Sequence, residues 1–142
     1  SFYEKLMELY VEFGLYREEL ISLVKKGIDG EMQIKQMMVD LRDQPLKEIA
    51  GEKIVLIEDY QSSIARNLQD HTEHTIDIPK SNVLIYYTEE GTKVAARPSG
   101  TEPKIKFYIS VSKDLETVDR YEIVSEELSE KISRIKGDLQ VD

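Results

Sequence analysis

The residues of this chain best suited to chemistry lie in one stretch, residues 97–104, which reads Arg-Pro-Ser-Gly-Thr-Glu-Pro-Lys. The Arg97 guanidinium can bind two oxygens of a phosphate at once, and Ser99 and Thr101 offer hydroxyl donors. Gly100 has no side chain, so its backbone N–H can approach an anion closely. Successive N–H groups in such a turn can form an anion-binding concavity. This combination predicts a phosphate-binding loop.

Two prolines and the local charge support that interpretation. Pro98 and Pro103 restrict themselves and the residues before them, so the loop should be largely preformed and should lose little entropy on binding. Residues 93–106 contain four basic side chains and one acidic side chain, Glu102. This stretch therefore carries a net charge of +3 within a chain whose formal net charge is −9.

The same residue types would also suit an ordinary turn between two strands. Serine, glycine and proline are common turn residues, so the residues alone leave both interpretations open. Glu102 argues against a phosphate site, because a carboxylate repels a nearby phosphate. We hypothesise that Glu102 points away from the anion and holds Arg97 or Lys104 in place.

The stretch RPSGTEPK, followed by the predicted strand IKFYIS, resembles the phosphate-binding loop in the final domain of the α-D-phosphohexomutase family. This family includes phosphoglucomutases, phosphomannomutases and phosphopentomutase-like relatives. Residues 78–103 resemble its long bacterial branch, and the resemblance extends from about residue 45 to the end of the last predicted helix. In the family, this loop grips the phosphate that is not being transferred. The resemblance implies phosphate contacts from Arg97, Ser99, Gly100 and Thr101, with Lys104 as an auxiliary contact where the chain re-enters a strand.

The resemblance also implies the activity of the complete enzyme. Family members have four domains around a cleft, and a phosphoserine exchanges phosphoryl groups with a hexose phosphate, converting the 1-phosphate into the 6-phosphate. The implied substrate is a glucose or mannose phosphate, and the implied partners of this chain are the preceding domains of the same enzyme. The alternative is a free-standing phospho-ligand or protein-interaction module of the same fold.

Several motifs of the family are missing from the sequence. The phosphoserine loop (roughly T-A-S-H-N-P), the magnesium loop (roughly D-G-D-x-D-R) and the sugar-recognition loop do not occur. Residues 29–31, Asp-Gly-Glu, only superficially resemble the magnesium loop and read as a helix start. We therefore expect no catalytic residue and no metal ligand in this chain, with Mg²⁺ bound by another domain. The chain alone is predicted to be an inactive part of an isomerase.

The composition agrees with a globular domain. The chain has 142 residues, of which 40% are hydrophobic and 33% charged, which fits one domain or one domain with an appendage. The net charge of −9 argues against a duplex nucleic-acid binder. No apolar run is long enough to span a membrane, and the absence of cysteine suits the cytoplasm. We expect a cytoplasmic protein that binds neither nucleic acid nor membranes.

Strand patterns dominate after Pro45. In residues 104–112 apolar and polar residues alternate, and the turn at residues 89–91 joins two further strands into a hairpin. Asp114 should begin a long helix that Gly137 ends. Strands followed by a helix predict an α+β fold, an antiparallel sheet covered by helices, which the resemblance makes TATA-binding-protein-like. The predicted strands span residues 53–59, 83–88, 93–97 and 104–112.

The remaining segments are predicted with less regular structure. Residues 2–13 and a segment from Asp29 to Pro45 show helical spacing, and residues 19–24 could form a strand or a helical turn. We interpret residues 1–44 as the tail of the preceding domain with connecting helices that pack elsewhere, and residues 45–142 as the C-terminal phosphate-binding domain. Residues 60–80 should form a long irregular loop.

Two histidines have a spacing that could bind a metal. His71 and His74 are three residues apart, a spacing that places ligands on one side of a helix. They lie in a polar stretch that offers no obvious third ligand. We therefore interpret them as solvated loop residues.

Overall fold

A computed structural model describes residues 1–139 of the chain. Within these residues three α-helices, eight strands and one short 3₁₀ helix follow each other along the chain. The N-terminal elements are α1 (Phe2–Phe13), β1 (Leu15–Val24) and α2 (Gly30–Asp43). The central elements are β2 (Glu48–Ile49), β3 (Glu52–Asp59), β4 (Ile64–Asn67) and β5 (Thr72–Thr75). The last elements are β6 (Leu84–Thr88), β7 (Lys93–Pro98), β8 (Lys104–Lys113), the 3₁₀ helix (Val118–Arg120) and α3 (Tyr121–Asp138).

The strands within the described residues form one antiparallel sheet in the order β1-β8-β7-β6-β3-β4-β5, with β2 paired to β3 outside this path. Helices α2 and α3 pack on one face of β7, β8 and β1. The predicted α+β class, an antiparallel sheet covered by helices, is confirmed. None of the helices in residues 1–139 is long and apolar enough to cross a membrane.

The alternation in β8 builds the core. Ile105, Phe107, Ile109 and Val111 are buried against the helices, whereas the side chains between them lie on the uncovered face. Full burial of each such side chain contributes about 1.5–3 kcal/mol relative to an exposed position. From α3 the buried residues are Val124, Leu128, Ile132 and Ile135.

Strand β1 shows that the N-terminal region is not an appendage that packs elsewhere. It pairs along its whole length with β8, from Leu15 opposite Lys113 to Val24 opposite Lys104. Arg17 and Glu19 interrupt the apolar pattern of β1, because both face the covering helix α3. Arg17 donates to Ser125 of α3 at 2.8 Å, and Glu19 lies 2.9 Å from Lys136. The division of a longer protein at residue 44 stays a prediction.

Residues 60–80 do not form the irregular loop that the sequence indicated. They contain the hairpin of β4 and β5, which pairs with β3 at the edge of the sheet. All residues of β5 are exposed, so no apolar alternation marks the strand in the sequence. Side-chain bonds close the turn, for example from the Gln69 N–H to the Asn67 Oδ1 at 2.9 Å.

The helix limits also differ in part from the predictions. Helix α3 begins at Tyr121 rather than at Asp114, because Thr117 is extended (φ −142°, ψ 158°) and a 3₁₀ turn follows. Helix α1 ends before Gly14 as predicted, but its buried residue is Met7, while Phe2 is exposed. Helix α2 ends at Asp43, two residues before Pro45, as predicted.

Candidate phosphate-binding site

The predicted phosphate loop connects β7 to β8, two strands in the interior of the sheet. Two backbone hydrogen bonds within the loop hold its first and last residues together. The Ser99 N–H donates to the Lys104 carbonyl oxygen at 2.8 Å, and the Lys104 N–H donates to the Glu102 carbonyl oxygen at 2.7 Å. The loop therefore starts and ends at one point of the sheet, as a preformed site requires.

The Ser99 hydroxyl orients the backbone of the loop. Its Oγ accepts from the N–H groups of Thr101 and Glu102, at 3.4 and 3.3 Å. Bonds of this length are weak, because backbone N–H donors favour distances near 2.9 Å. The two N–H groups therefore remain available to a stronger, anionic acceptor.

Arg97 lies on the uncovered face of the sheet. Its side chain is exposed, and within residues 1–139 it makes no side-chain hydrogen bond or ion pair. In the β7–β8 ladder it lies directly opposite Lys106, whose side chain is on the same face. Like charges opposite each other on neighbouring strands are destabilising unless something between them carries the opposite charge.

Glu102 contacts Lys104 rather than Arg97, which decides between the two partners considered in the sequence. The Lys104 Nζ lies 3.8 Å from the Glu102 Oε2, and the Glu102 side chain is 64% exposed. An exposed pair at that distance stabilises by less than about 1 kcal/mol. Glu102 therefore offsets little of the positive charge at the loop.

A surface cavity of about 430 Å³ joins these residues on one side of the loop. Four of the five predicted phosphate contacts line it, namely Arg97, Ser99, Gly100 and Lys104. The fifth, Thr101, is exposed and does not line the cavity. Lys106 and Tyr108 line it as well, although the sequence assigned neither to the site. Their alternation with the buried residues of β8 was the available signal, since it places both on the face of Arg97. The lining residues are Arg97, Pro98, Ser99, Gly100, Glu102, Lys104, Lys106 and Tyr108.

The other candidate ligands do not form a site. His71 adopts a positive φ of 59° in the turn between β4 and β5, and His74 lies on β5, where it is exposed. Within the described residues no group of three or more His, Asp or Glu side chains could hold a metal ion. Asp29 and Glu31 lie at the start of α2.

A second charged cluster lies away from the loop, at the start of β3. The Glu52 carboxylate is buried and accepts from the hydroxyls of Thr88 and Thr92 at 2.7 and 2.6 Å. Its other oxygen lies 2.8 Å from the Lys131 Nζ on α3. Burial raises the pKa of Glu52, but the bonds from Lys131 and the threonines outweigh it and lower this pKa from 4.5 to about 2.

Comparison with known proteins identifies the family. No family model matches the chain. It is 38% identical over 128 residues to the phosphoglucomutase of Staphylococcus haemolyticus, covering 90% of the chain and 22% of that protein. It is 41% identical over 108 residues to the phosphoglucomutase of Staphylococcus aureus strain MRSA252, covering 76% of the chain and 19% of that protein. The chain belongs to the α-D-phosphohexomutase family, as the resemblance in the phosphate loop indicated.

The similarity concerns one part of much longer proteins. The chain spans about one fifth of the length of the phosphoglucomutases that it matches. Among solved structures, the open form of pp63/parafusin, a phosphoglucomutase from Paramecium, aligns with 94% of the chain and 23% of that protein. That alignment has a TM-score of 0.46 at 13% sequence identity.

Proposed function

We propose that this chain is the C-terminal domain of a phosphoglucomutase or phosphomannomutase. In this role it binds the phosphate that is not transferred while a hexose 1-phosphate is converted into the 6-phosphate. The observation that carries the proposal is the exposed Arg97 guanidinium, which lies opposite Lys106 at the mouth of a closed loop. Two cationic side chains opposite each other on neighbouring strands repel each other, and a bound anion between them would relieve that repulsion.

Each residue of the loop has a distinct part in holding the phosphate. Arg97 supplies a bidentate, charged contact, and the Ser99 hydroxyl, which accepts weakly from the Thr101 and Glu102 N–H groups, donates to the anion. Gly100 leaves room for close approach, since no atom outside its neighbours lies within 4 Å of an ideal Cβ there. Thr101 and Lys104 complete the contacts, and Lys106 adds charge from the facing strand.

Binding a remote phosphate serves catalysis by positioning. Phosphoryl transfer depends mainly on orientation and charge stabilisation, and the binding energy of a non-reacting group can orient the reacting one. In this proposal the preceding domains supply the phosphoserine and the Mg²⁺ that neutralises developing charge. The residues described here hold one end of a glucose or mannose phosphate, and the complete enzyme works in the cytoplasm.

A titration of the chain with inorganic phosphate and with glucose 1-phosphate, followed by NMR, tests the proposal. We expect the amide signals of Gly100 and Thr101 to shift at millimolar ligand. Arg97→Ala should weaken binding by about 10- to 100-fold, the value of a charged hydrogen bond. Absence of any shift in the unmodified chain at these amides would refute the phosphate-binding role.

The control for Arg97→Ala is Arg120→Ala. Arg120 is exposed, lies outside the loop cavity and makes no capping side-chain bond at the start of α3. Its removal changes the net charge equally, so it should leave phosphate affinity nearly unchanged. Equal losses from both variants would mean that only the overall charge attracts phosphate. In the complete enzyme, unchanged turnover of Arg97→Ala would reject a role of this loop in the reaction.

A further inference from the structure

We propose that Gly30 is a positioning residue for the phosphate loop. Its lack of a side chain allows the turn before α2 to pack against Pro103, where the loop ends and β8 begins. This inference rests on the proposed function, because it assigns the residue that holds the same loop in its binding geometry. Neither the composition nor the spacing of residues 25–30 indicated such a role.

The first supporting contact is a backbone hydrogen bond. The Lys25 N–H donates to the Pro103 carbonyl oxygen at 2.9 Å. The ladder between β1 and β8 ends with Val24 opposite Lys104, so this bond extends the pairing by one residue into the loop. The end of β1 therefore holds the last residue of the phosphate loop by the same kind of bond that holds the sheet.

The second contact depends on glycine. Gly30 is buried at the first position of α2, and a Cβ there would lie 2.9 Å from the Pro103 Cβ and 2.4 Å from the Lys25 carbonyl oxygen. Both distances are far below normal contact, and a backbone oxygen cannot rotate away as a flexible side chain could. Any larger residue must push the turn and Pro103 apart.

The two ends of the loop are supported differently. On the side of Ser99 and Gly100, a cavity of about 270 Å³ separates the loop from Ile34 and Met38 of α2. At the other end Pro103 packs against Gly30. The Ser99 N–H is bonded to the Lys104 carbonyl oxygen, so a displacement next to Pro103 is transmitted to the N–H groups that would bind phosphate. The contact at Gly30 thus sets the position of the whole loop.

The decisive variant is Gly30→Ala, compared with Gly137→Ala in α3. A Cβ on Gly137 meets no atom within 4 Å, so this control adds the same methyl group without a clash. We expect Gly30→Ala to weaken phosphate binding by between about 10- and 100-fold, because small misplacements of binding groups have effects of that size. Gly137→Ala should bind like the unmodified chain.

Affinity and stability must be measured separately, because a purely structural role would change only stability. Binding is followed at the Gly100 and Thr101 amides well below the unfolding temperature, and thermal unfolding is recorded in parallel. A Gly30→Ala variant that unfolds at a lower temperature but binds phosphate with unchanged affinity would overturn the proposal. If the unmodified chain fails to bind phosphate, the proposed function is refuted. If the unmodified chain and Gly30→Ala bind phosphate equally well, only the role of Gly30 is rejected.

A second measurement needs no variant and covers the case in which Gly30→Ala does not fold. Hydrogen exchange of the Lys25 amide reports on its bond to Pro103. If this bond and phosphate binding are linked, exchange should slow by up to about 10-fold at ten times the dissociation constant. The Gly14 amide, bonded to the Tyr10 carbonyl oxygen at the end of α1, is the control. Equal exchange of the Lys25 amide with and without phosphate would contradict the proposal.

Discussion

The Glu52 cluster and the phosphate loop differ in the burial and pairing of their charged side chains. Glu52 is buried, and its carboxylate has two hydroxyl donors and an ammonium group as partners inside the protein. Arg97 is exposed and, within residues 1–139, has no ion pair, and its cross-strand neighbour Lys106 carries the same charge. The first arrangement stabilises the fold, whereas the second leaves positive charge available to a ligand.

Two arginines make the same contrast. The Arg42 Nε donates to both oxygens of Asp59, at 3.1 and 3.2 Å, and this pair connects α2 to the end of β3. Arg97 has the same side chain at the end of β7 and makes no such contact within the described residues. The residue type alone therefore does not distinguish a structural arginine from a binding one, and the surroundings do.

The largest effect is expected from breaking the Glu52 cluster. Lys131→Met leaves a buried carboxylate without its cation, which should lower the free energy of unfolding by about 3–5 kcal/mol. Urea denaturation measures this loss. Arg97→Met is the matched comparison and should change stability by less than about 0.5 kcal/mol, because it removes an exposed charge. Similar losses in the two variants would abolish the contrast.

The pH dependence of stability should show the same cluster. The folded pKa of Glu52 is lowered to about 2 from 4.5, so its stabilisation is present above pH 4.5 and is lost as the pH falls toward 2. The loss should be on the order of 2–3 kcal/mol. Urea titrations across this range should show it in the unmodified chain and not in Glu52→Gln. If the free energy of unfolding depends on pH in the same way in both proteins, ionisation of Glu52 does not stabilise the fold.

Replacement of Lys106, the lysine opposite Arg97, should change stability and phosphate affinity in opposite directions. Lys106→Met removes the like-charge contact with Arg97, so we expect stability to rise by up to about 0.5 kcal/mol while phosphate affinity falls. NMR titration and urea denaturation measure the two quantities. Lys93→Met, further along the same face, lies outside the loop cavity and should leave phosphate affinity unchanged. A loss of both stability and affinity in Lys106→Met would assign Lys106 a structural role.

The smallest effect concerns Glu102. If its contact with Lys104 orients the lysine, Glu102→Gln should weaken phosphate binding by about 2- to 5-fold, the range expected of an exposed ion pair. Isothermal titration of both proteins with phosphate can resolve this change. Glu116→Gln, at an exposed position outside the loop, is the charge control. Unchanged or tighter binding in Glu102→Gln would show that the carboxylate only repels the ligand.

Local patterns in the sequence predicted much of this fold. The alternation of residues 104–112 predicted β8 to within one residue of its end, and the helical spacing of residues 2–13 and of the segment before Pro45 predicted α1 and α2. The predicted end of the last helix at Gly137 was wrong, because α3 continues through it to Asp138. Short apolar runs likewise predicted β3, β6 and β7. These features depend on neighbours along the chain, so the sequence alone carries the relevant information.

The features that the sequence did not predict depend on distant contacts. Arg17 and Glu19 interrupt the apolar pattern of β1, and only their pairing with α3 explains why a strand tolerates them on its covered face. The place of Gly30 against Pro103 joins residues far apart in the chain. The loop residues were predictable from type and spacing, but the facing position of Lys106 required the register of β7 and β8.

The pairing of β1 with β8 has a consequence for the order of folding. During synthesis residues 15–24 leave the ribosome long before their partners at residues 104–113 exist. A strand that must wait for such a distant partner slows folding, because the intervening chain has to be ordered before the pairing stabilises it. The hairpins of β4 with β5 and of β6 with β7 need no such delay and can form first. We expect closure of β1 onto β8 to complete the sheet and to bring Lys25 to Pro103, so that the loop geometry is acquired among the last steps of folding.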